Sequence, residues 1–400
     1  MRPMALLFLA LFNSILGLSV LFPVLAPLGL ELGLRPFEIT TLSTAYALMQ
    51  LVMSRFWGRR SDAKGRVSTL LIGISGFALS FFAFGAVAWL GQRGALTHWP
   101  LYAGLLGTRL LGGALSSATI PTAQAYAADI TGPEDRTKAM AVIGAAFGSG
   151  IVFGPAIGAG LAALTGSLLA PVFFSASIAV VNGLFVWLAL PEPERHTPDE
   201  EAVPRESRDV WRTIWPILAV GLAATLSSVA MEQTVALYFQ ARLELEEVET
   251  AKAVGLALVG YGVIAVITQG FLVRRVTWKP ATLVRLGVPI ALAGFVLFVL
   301  ADSYAMLTAA LCVQGLGQGL VLPGVTAALS LSVGPDEQGA VAGWNGSSQG
   351  LGRTLGPVVG GAFFELSPEL PYVFSGCLLL LVLAVVWLRP LGASRGLLDA

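Results

Sequence analysis

Gly150-Ile151-Val152-Phe153-Gly154-Pro155-Ala156-Ile157-Gly158 sits inside an apolar run from about Ala139 to Leu164. Its glycines recur every four residues, so on a helix they share one face and let a neighbouring backbone approach closely. Pro155 removes a backbone donor and favours a bend. In a bilayer, neighbouring helices and local adjustments re-satisfy the groups it frees. The stretch returns about 202 residues later as Gly352-Arg353-Thr354-Leu355-Gly356-Pro357-Val358-Val359-Gly360-Gly361. Gly150 and Gly352, Gly154 and Gly356, Pro155 and Pro357, and Gly158 and Gly360 share that offset. Gly113 and Gly315, Pro121 and Pro323, Gly132 and Gly334, and Pro133 and Pro335 share it too. Two similar halves in the same orientation follow.

The 400 residues are 56% hydrophobic and 12% charged, against roughly 25% charged in an average soluble chain. The chain therefore reads as an integral membrane protein in contact with the lipid bilayer. A formal net charge of zero gives no basic surface for nucleic acid. Cys312 and Cys377 fall in apolar runs and read as small buried hydrophobes, not as a disulfide or a metal pair. His98 and His196 read as loop residues. The first apolar run is too long for the core of a cleavable leader and reads as the first span.

A span needs about 20 mostly apolar residues. Twelve runs qualify, at roughly 5–29, 39–57, 68–91, 100–128, 138–163, 169–190, 213–240, 251–273, 281–301, 304–331, 339–364 and 371–388. The expected fold is an all-α membrane protein of twelve transmembrane helices in two pseudo-symmetric six-helix bundles. The bundles are residues 1–190 and 212–400, joined by a polar, Pro-rich linker over 191–211. Lys and Arg set the orientation. Arg55, Arg59, Arg60, Lys64, Arg66, Arg136, Lys138 and the linker arginines crowd one side, while Arg35, Arg93, Arg242 and Lys252 lie on the other. Both termini and the linker are expected in the cytoplasm, with the chain in the plasma membrane.

Between the second and third runs stands Gly58-Arg59-Arg60-Ser61-Asp62-Ala63-Lys64-Gly65-Arg66. The fourth run carries Arg109-Leu110-Leu111-Gly112-Gly113. An arginine inside a span is costly and normally faces a cavity or a partner. Tyr126-Ala127-Ala128-Asp129, then Glu134-Asp135-Arg136, precede the glycine-proline helix. With twelve spans in two halves, this set resembles the major facilitator superfamily over essentially the whole chain. Its closest likeness is to tetracycline-type drug/proton antiporters. Gly58, Asp62, Gly65 and Arg66 are in register with the superfamily's G-x-x-x-D-[RK]-x-G-R loop. Ala63 stands where a basic residue is usual, and Lys64 follows one position late.

The resemblance implies a conformational latch of Gly58, Asp62, Gly65 and Arg66, with Asp129 pairing near Arg66 and Arg136 close by. It implies that the Gly154-Pro155 element marks exporters that exchange substrate for protons, whereas the full motif of Gly150, Gly154, Pro155 and Gly158, with its second copy Gly352, Gly356, Pro357 and Gly360 that can record duplication alone, is a helix-packing motif. The same residues also serve ordinary helix packing. It further implies a cavity between the bundles, lined by spans one, four, seven and ten and opened alternately to each side. Candidate substrate contacts are then Asn13, Arg109, Gln124, Gln233, Gln314 and Gln318, with Phe147 and Met231 adding apolar surface. Tetracycline exporters carry an acid where Asn13 and Ser14 stand, so the coupling acid must lie elsewhere. Glu232, inside the seventh run, is the first candidate and Asp129 the second.

The chain has no HExxH, P-loop or GxSxG, so neither enzyme chemistry nor an ATP-driven pump is expected, and no cofactor or metal. The favoured reading is a monomeric secondary transporter exporting small hydrophobic compounds against protons. Export of a sugar or metabolite, and a non-transporting sensor or scaffold, remain as rivals.

Overall fold

The computed structural model describes residues 3–131, 136–193, 208–275, 278–334 and 337–388. Most of the linker, His196 and the side chain of Arg136 lie outside the described residues. Among those described there is no β-strand, and the helices make twelve spans. In the first half, span 1 is Pro3–Ser19 and Leu25–Glu31, span 2 Pro36–Lys64 and span 3 Arg66–Gln92. Span 4 is His98–Ser116 and Thr119–Asp129, span 5 Arg136–Thr165 and span 6 Leu169–Ala189. In the second half, span 7 is Arg208–Leu243. Span 8 is Glu247–Ile267, continued by a π-helical turn at Thr268–Leu272 and by Val273–Arg275. Spans 9 to 12 are Pro280–Leu300, Tyr304–Leu331, Gln338–Leu366 and Leu370–Leu388. Seven of these helices are long and apolar enough to cross a membrane on length and composition alone. The others are interrupted, carry a charged end, or are rich in small polar residues.

Two expected spans are broken. Each interruption begins about four residues before a proline, Pro23 in span 1 and Pro121 in span 4. There the pyrrolidine ring clashes with the carbonyl one turn back. Pro323, the counterpart of Pro121, is instead absorbed in the continuous span 10. The difference lies in the preceding turn. Span 4 has Ser116-Ser117 there, and the Ser117 hydroxyl donates back to the Ala114 carbonyl at 2.8 Å, competing with the helical pattern. Span 10 has Gln318-Gly319 instead. Span 5 and span 11 run through Pro155 and Pro357 without a break.

The chain forms two compact units. One is Met1–Pro198 with Leu245–Val259, the other Asp199–Glu244 with Gly260–Ala400. The division is not sequential, because the first part of span 8 packs within the first unit. A methyl on Gly255 would collide with Ala159 of span 5.

Within each unit the glycine-proline helix lies against the unit's opening helix. In the first, a side chain on Gly154 would strike Ser19 Oγ and one on Gly158 would strike the Val20 carbonyl oxygen. The Ser19 hydroxyl donates to the Gly150 carbonyl at 2.7 Å. In the second, a Cβ at Gly352, Gly356 or Gly360 would come within 2.9 Å of Thr225, Val229 and Ala230 respectively. Two histidine and cysteine expectations are corrected. His98 opens span 4 instead of lying in a loop, and Cys377 is exposed on span 12 instead of buried.

Candidate functional site

The turn between spans 2 and 3 is built on Gly65, whose φ of 109° lies where side-chain-bearing residues are strained. Arg66 then reaches three ways. Its Nε donates to Asp129 Oδ2 at 2.7 Å, its Nη1 donates to Ser61 Oγ at 2.7 Å, and Nη1 also pairs with Asp62. The pairs differ in wetness. The side chains of Arg66 and Asp129 are 16% and 19% exposed, whereas Asp62 is 60% exposed. Gly58 has open space where a side chain would be.

A fourth member comes from the stretch expected to be linker. Glu192, just after span 6, accepts the backbone N–H groups of Arg66 and Val67, the latter at 3.0 Å. These are orphan donors at the start of span 3, and an acid there also suits the helix dipole. Tyr126 OH donates to the Pro191 carbonyl at 2.8 Å, fixing the segment that carries Glu192. The only sequence signal was Pro191-Glu192-Pro193, a stiff segment that places one carboxylate.

Inside span 7, Glu232 is half-buried and accepts hydrogen bonds at one oxygen. The Ser228 hydroxyl donates at 3.0 Å from one turn away, and Tyr261 OH donates at 3.1 Å from span 8. Arg353 of span 11 interacts with Glu232 electrostatically, without a contact ion pair. The sequence signal for Tyr261 is slight, one polar-tipped aromatic flanked by Gly260 and Gly262 in an apolar run. Asp129 is not part of this cluster but belongs to the loop above.

Arg109 is 5% exposed and, among the described residues, forms no ion pair with a carboxylate. Its guanidinium lies 4.9 Å from the Tyr46 ring centroid and 5.6 Å from those of Phe81 and Phe84, with Nε unpaired. Tyr46 is held by Ser116 at 2.7 Å. Cation–π attraction thus takes the place of a counter-ion. Gln314 and Gln318 are buried and donate to the Ala291 and Ala224 carbonyls at 2.7 and 3.2 Å. Met231 is fully buried. Asn13, Phe147 and Gln233 are half-buried and Gln124 is exposed.

A further charged cluster occupies the end of the first unit away from the loop. Glu38, 3% exposed, accepts from Arg35 at 3.1 Å and bonds His98 Nε2 at 2.9 Å, joining spans 2 and 4.

The family model described as Major Facilitator Superfamily matches residues 7–303 and 254–397. The chain belongs to the major facilitator superfamily. It is therefore a multi-pass membrane transporter for small molecules, of a class that is not enzymatic. Multidrug resistance protein 1 of Bacillus subtilis is 28% identical over 388 residues, 95% of each chain. Quinolone resistance protein NorA of Staphylococcus aureus is 25% identical over 372 residues, 91% of this chain and 90% of that one. Among solved structures, a bacterial homologue of the human lysosomal transporter Spinster, in an inward-facing and occupied conformation, superposes with a TM-score of 0.74 at 16% identity. That match covers 96% of this chain and 95% of the other. The facilitator fold explains why the glycine-proline helices come as a pair, one per half.

Proposed function

We propose that this transporter exports small, largely hydrophobic compounds in exchange for protons by alternating access, with Glu232 carrying the coupling proton. The observation behind this is the placing of Glu232. It lies about three turns from the end of its helix, half-buried, with two hydroxyl donors and a nearby guanidinium. A carboxylate inside a span is expensive unless it is used or paired, and among the described residues Glu232 has no contact ion pair. Ionised, it attracts Arg353 of span 11; protonated, it releases that attraction. Proton affinity that differs between two conformers is what coupling requires.

The names of the relatives, which refer to multidrug and quinolone resistance, support drug-like substrates for this chain. Asn13, Gln124, Phe147 and Gln233, whose side chains are accessible, serve as direct contacts in this reading. Arg109, Gln314, Gln318 and Met231 act by shaping the helices that carry the contacts. The loop of Gly58, Asp62, Gly65, Arg66 and Asp129 is the latch, with Arg136 near it. Residues 1–190 and 212–400 are the two halves of a monomer in the plasma membrane, and the 191–211 linker and both termini are cytoplasmic. Asp129 is the reserve proton site.

The test is Glu232→Gln in proteoliposomes, because glutamine keeps the size and cannot ionise. Uphill transport driven by an imposed pH gradient should fall at least tenfold, while downhill substrate exchange stays within about threefold of wild type. Continued accumulation against the substrate gradient would remove Glu232 as the coupling group.

A further inference from the structure

The cytoplasm-assigned end of span 2 carries more positive charge than the latch uses. Arg55, Phe56, Arg59, Arg60, Ala63 and Lys64 line a hollow of about 700 Å³ in the first unit. On a helix these residues form two adjacent ridges, Arg55-Arg59-Ala63 and Phe56-Arg60-Lys64, which share one side. Arg55 and Arg59, and Arg60 and Lys64, are like charges one turn apart, an arrangement that destabilises a helix unless an anion sits between them.

Among the described residues no side-chain carboxylate supplies that anion. The acid within the stretch, Asp62, is engaged with Arg66. Among the described residues none of the four cations forms an ion pair within 4.0 Å of a carboxylate. Arg60 stacks 5.8 Å from the centroid of Trp57, and its Nε is buried with no hydrogen-bond partner. Trp57 is itself fixed, donating from Nε1 to the Ala114 carbonyl at 2.6 Å. Phe56 is 54% exposed on the same hollow. The cluster begins where the apolar run of span 2 ends, which in a bilayer sets it toward the headgroups.

The geometry points to a binding site for the phosphate headgroup of an anionic phospholipid. Guanidinium groups take phosphate oxygens in paired, charge-assisted hydrogen bonds, and the exposed ring of Phe56 meets the start of the acyl chains. Basic clusters at the cytoplasmic end of a span attract anionic lipid in this way. The site lies on the helix whose last turn carries Asp62 and which Gly65 follows, so its occupancy bears directly on the latch.

The experiment is native mass spectrometry of the purified full chain in detergent, titrated with phosphatidylglycerol, with phosphatidylcholine and with inorganic phosphate. One phosphatidylglycerol per chain should be retained at least tenfold more tightly than phosphatidylcholine. The triple substitution Arg55→Gln, Arg59→Gln and Lys64→Gln should weaken that retention about tenfold. The control pair Lys279→Gln, just before span 9, and Arg285→Gln, within its first two turns, should leave it within twofold. Equal retention by the triple variant, or equal loss in the control pair, would overturn the site and leave only general attraction to anionic surfaces. Displacement by inorganic phosphate at the lipid's own concentration would overturn the lipid assignment, leaving a phosphate site. A photoactivatable phosphatidylglycerol on the wild-type chain needs no variant: labelling should map to residues 55–64, and labelling spread along other spans would refute the proposal.

Discussion

Span 5 against span 1 and span 11 against span 7 are the same contact made twice, and they have diverged in what they carry. In the first unit, a neutral hydroxyl, Ser19, bonds the Gly150 carbonyl at 2.7 Å, and two of the glycines have no room for even a methyl. In the second, the glycines have slightly more room, and the contact is flanked by Glu232 on one helix and Arg353 on the other. The first contact is close-packed backbone with no charge. The second keeps the packing and admits a titratable pair. One packing scaffold thus occurs twice, and opposite charges flank it in the second copy. The interhelical loops diverge in the opposite sense, since the Asp62–Arg66–Asp129 cluster belongs to the first unit.

The largest expected effect tests the packing side of that comparison. Gly158→Ala would push a methyl into the Val20 carbonyl oxygen, a backbone atom that cannot swing aside. Overpacking of this kind costs about 1–3 kcal/mol, and Gly158 should stand at the upper end. Gly360→Ala, which meets Ala230 at 2.9 Å, should stand at the lower end. Thermal unfolding of the two variants in the same detergent measures the gap. Equal falls would mean that the halves are packed alike after all.

Next in size is the loop. Glu192→Ala leaves two N–H donors at the start of span 3 without a carboxylate, and loss of such a cap costs about 1 kcal/mol. It should raise amide exchange in the first turn of span 3, while leaving the first turn of span 9 unchanged. Within the ion cluster, Asp129→Asn should shift the balance of conformers more than Asp62→Asn. The Asp129 pair is mostly shielded, and the Asp62 carboxylate is 60% exposed, where pairs contribute only about 0–1 kcal/mol. Distances between spin labels on the two halves read this directly. A larger shift from Asp62→Asn would reverse the assignment of the stronger pair.

The smallest effect is a pH dependence in the second unit. Between spans 11 and 12, the Ser367 hydroxyl donates to Glu369, outweighing partial burial, and Arg242 stands 3.6 Å away. Together they hold this carboxyl below its usual range. A depressed carboxylate contributes stability above its unfolded pKa and loses it as pH falls through the folded one. Glu369→Gln should therefore cost a few tenths of a kcal/mol near neutral pH, where exposed pairs contribute little. The difference from wild type should begin to shrink as pH falls into the ordinary carboxylate range and vanish once pH has fallen through the lowered folded-state pKa. A difference that persists in acid would mean that shape, not charge, is what Glu369 supplies.

Much of this architecture is already present in one dimension. A bilayer demands about 20 apolar residues per crossing, so span number can be read from composition. The repeat of glycine and proline at a fixed offset exposes the duplication because those residues act on the backbone itself. Glu232 stands out in the sequence for a similar reason, since a carboxylate in an apolar run is costly wherever it points. The tertiary structure decided who meets whom. Glu192 looked like part of a Pro-rich linker until the fold brought it to the start of span 3, more than 120 residues away in sequence. Tyr261 became a partner of Glu232 only when span 8 lay beside span 7. Arg109 was expected at a cavity, and the fold surrounds it with Tyr46, Phe81 and Phe84. The breaks in spans 1 and 4, set against the unbroken span 10, depend on whether side chains near each proline compete for the freed backbone groups. Periodicity and composition are sums over a helix and survive without knowledge of neighbours. A hydrogen bond or an aromatic cage is a relation between two particular points in space, and only packing brings those points together.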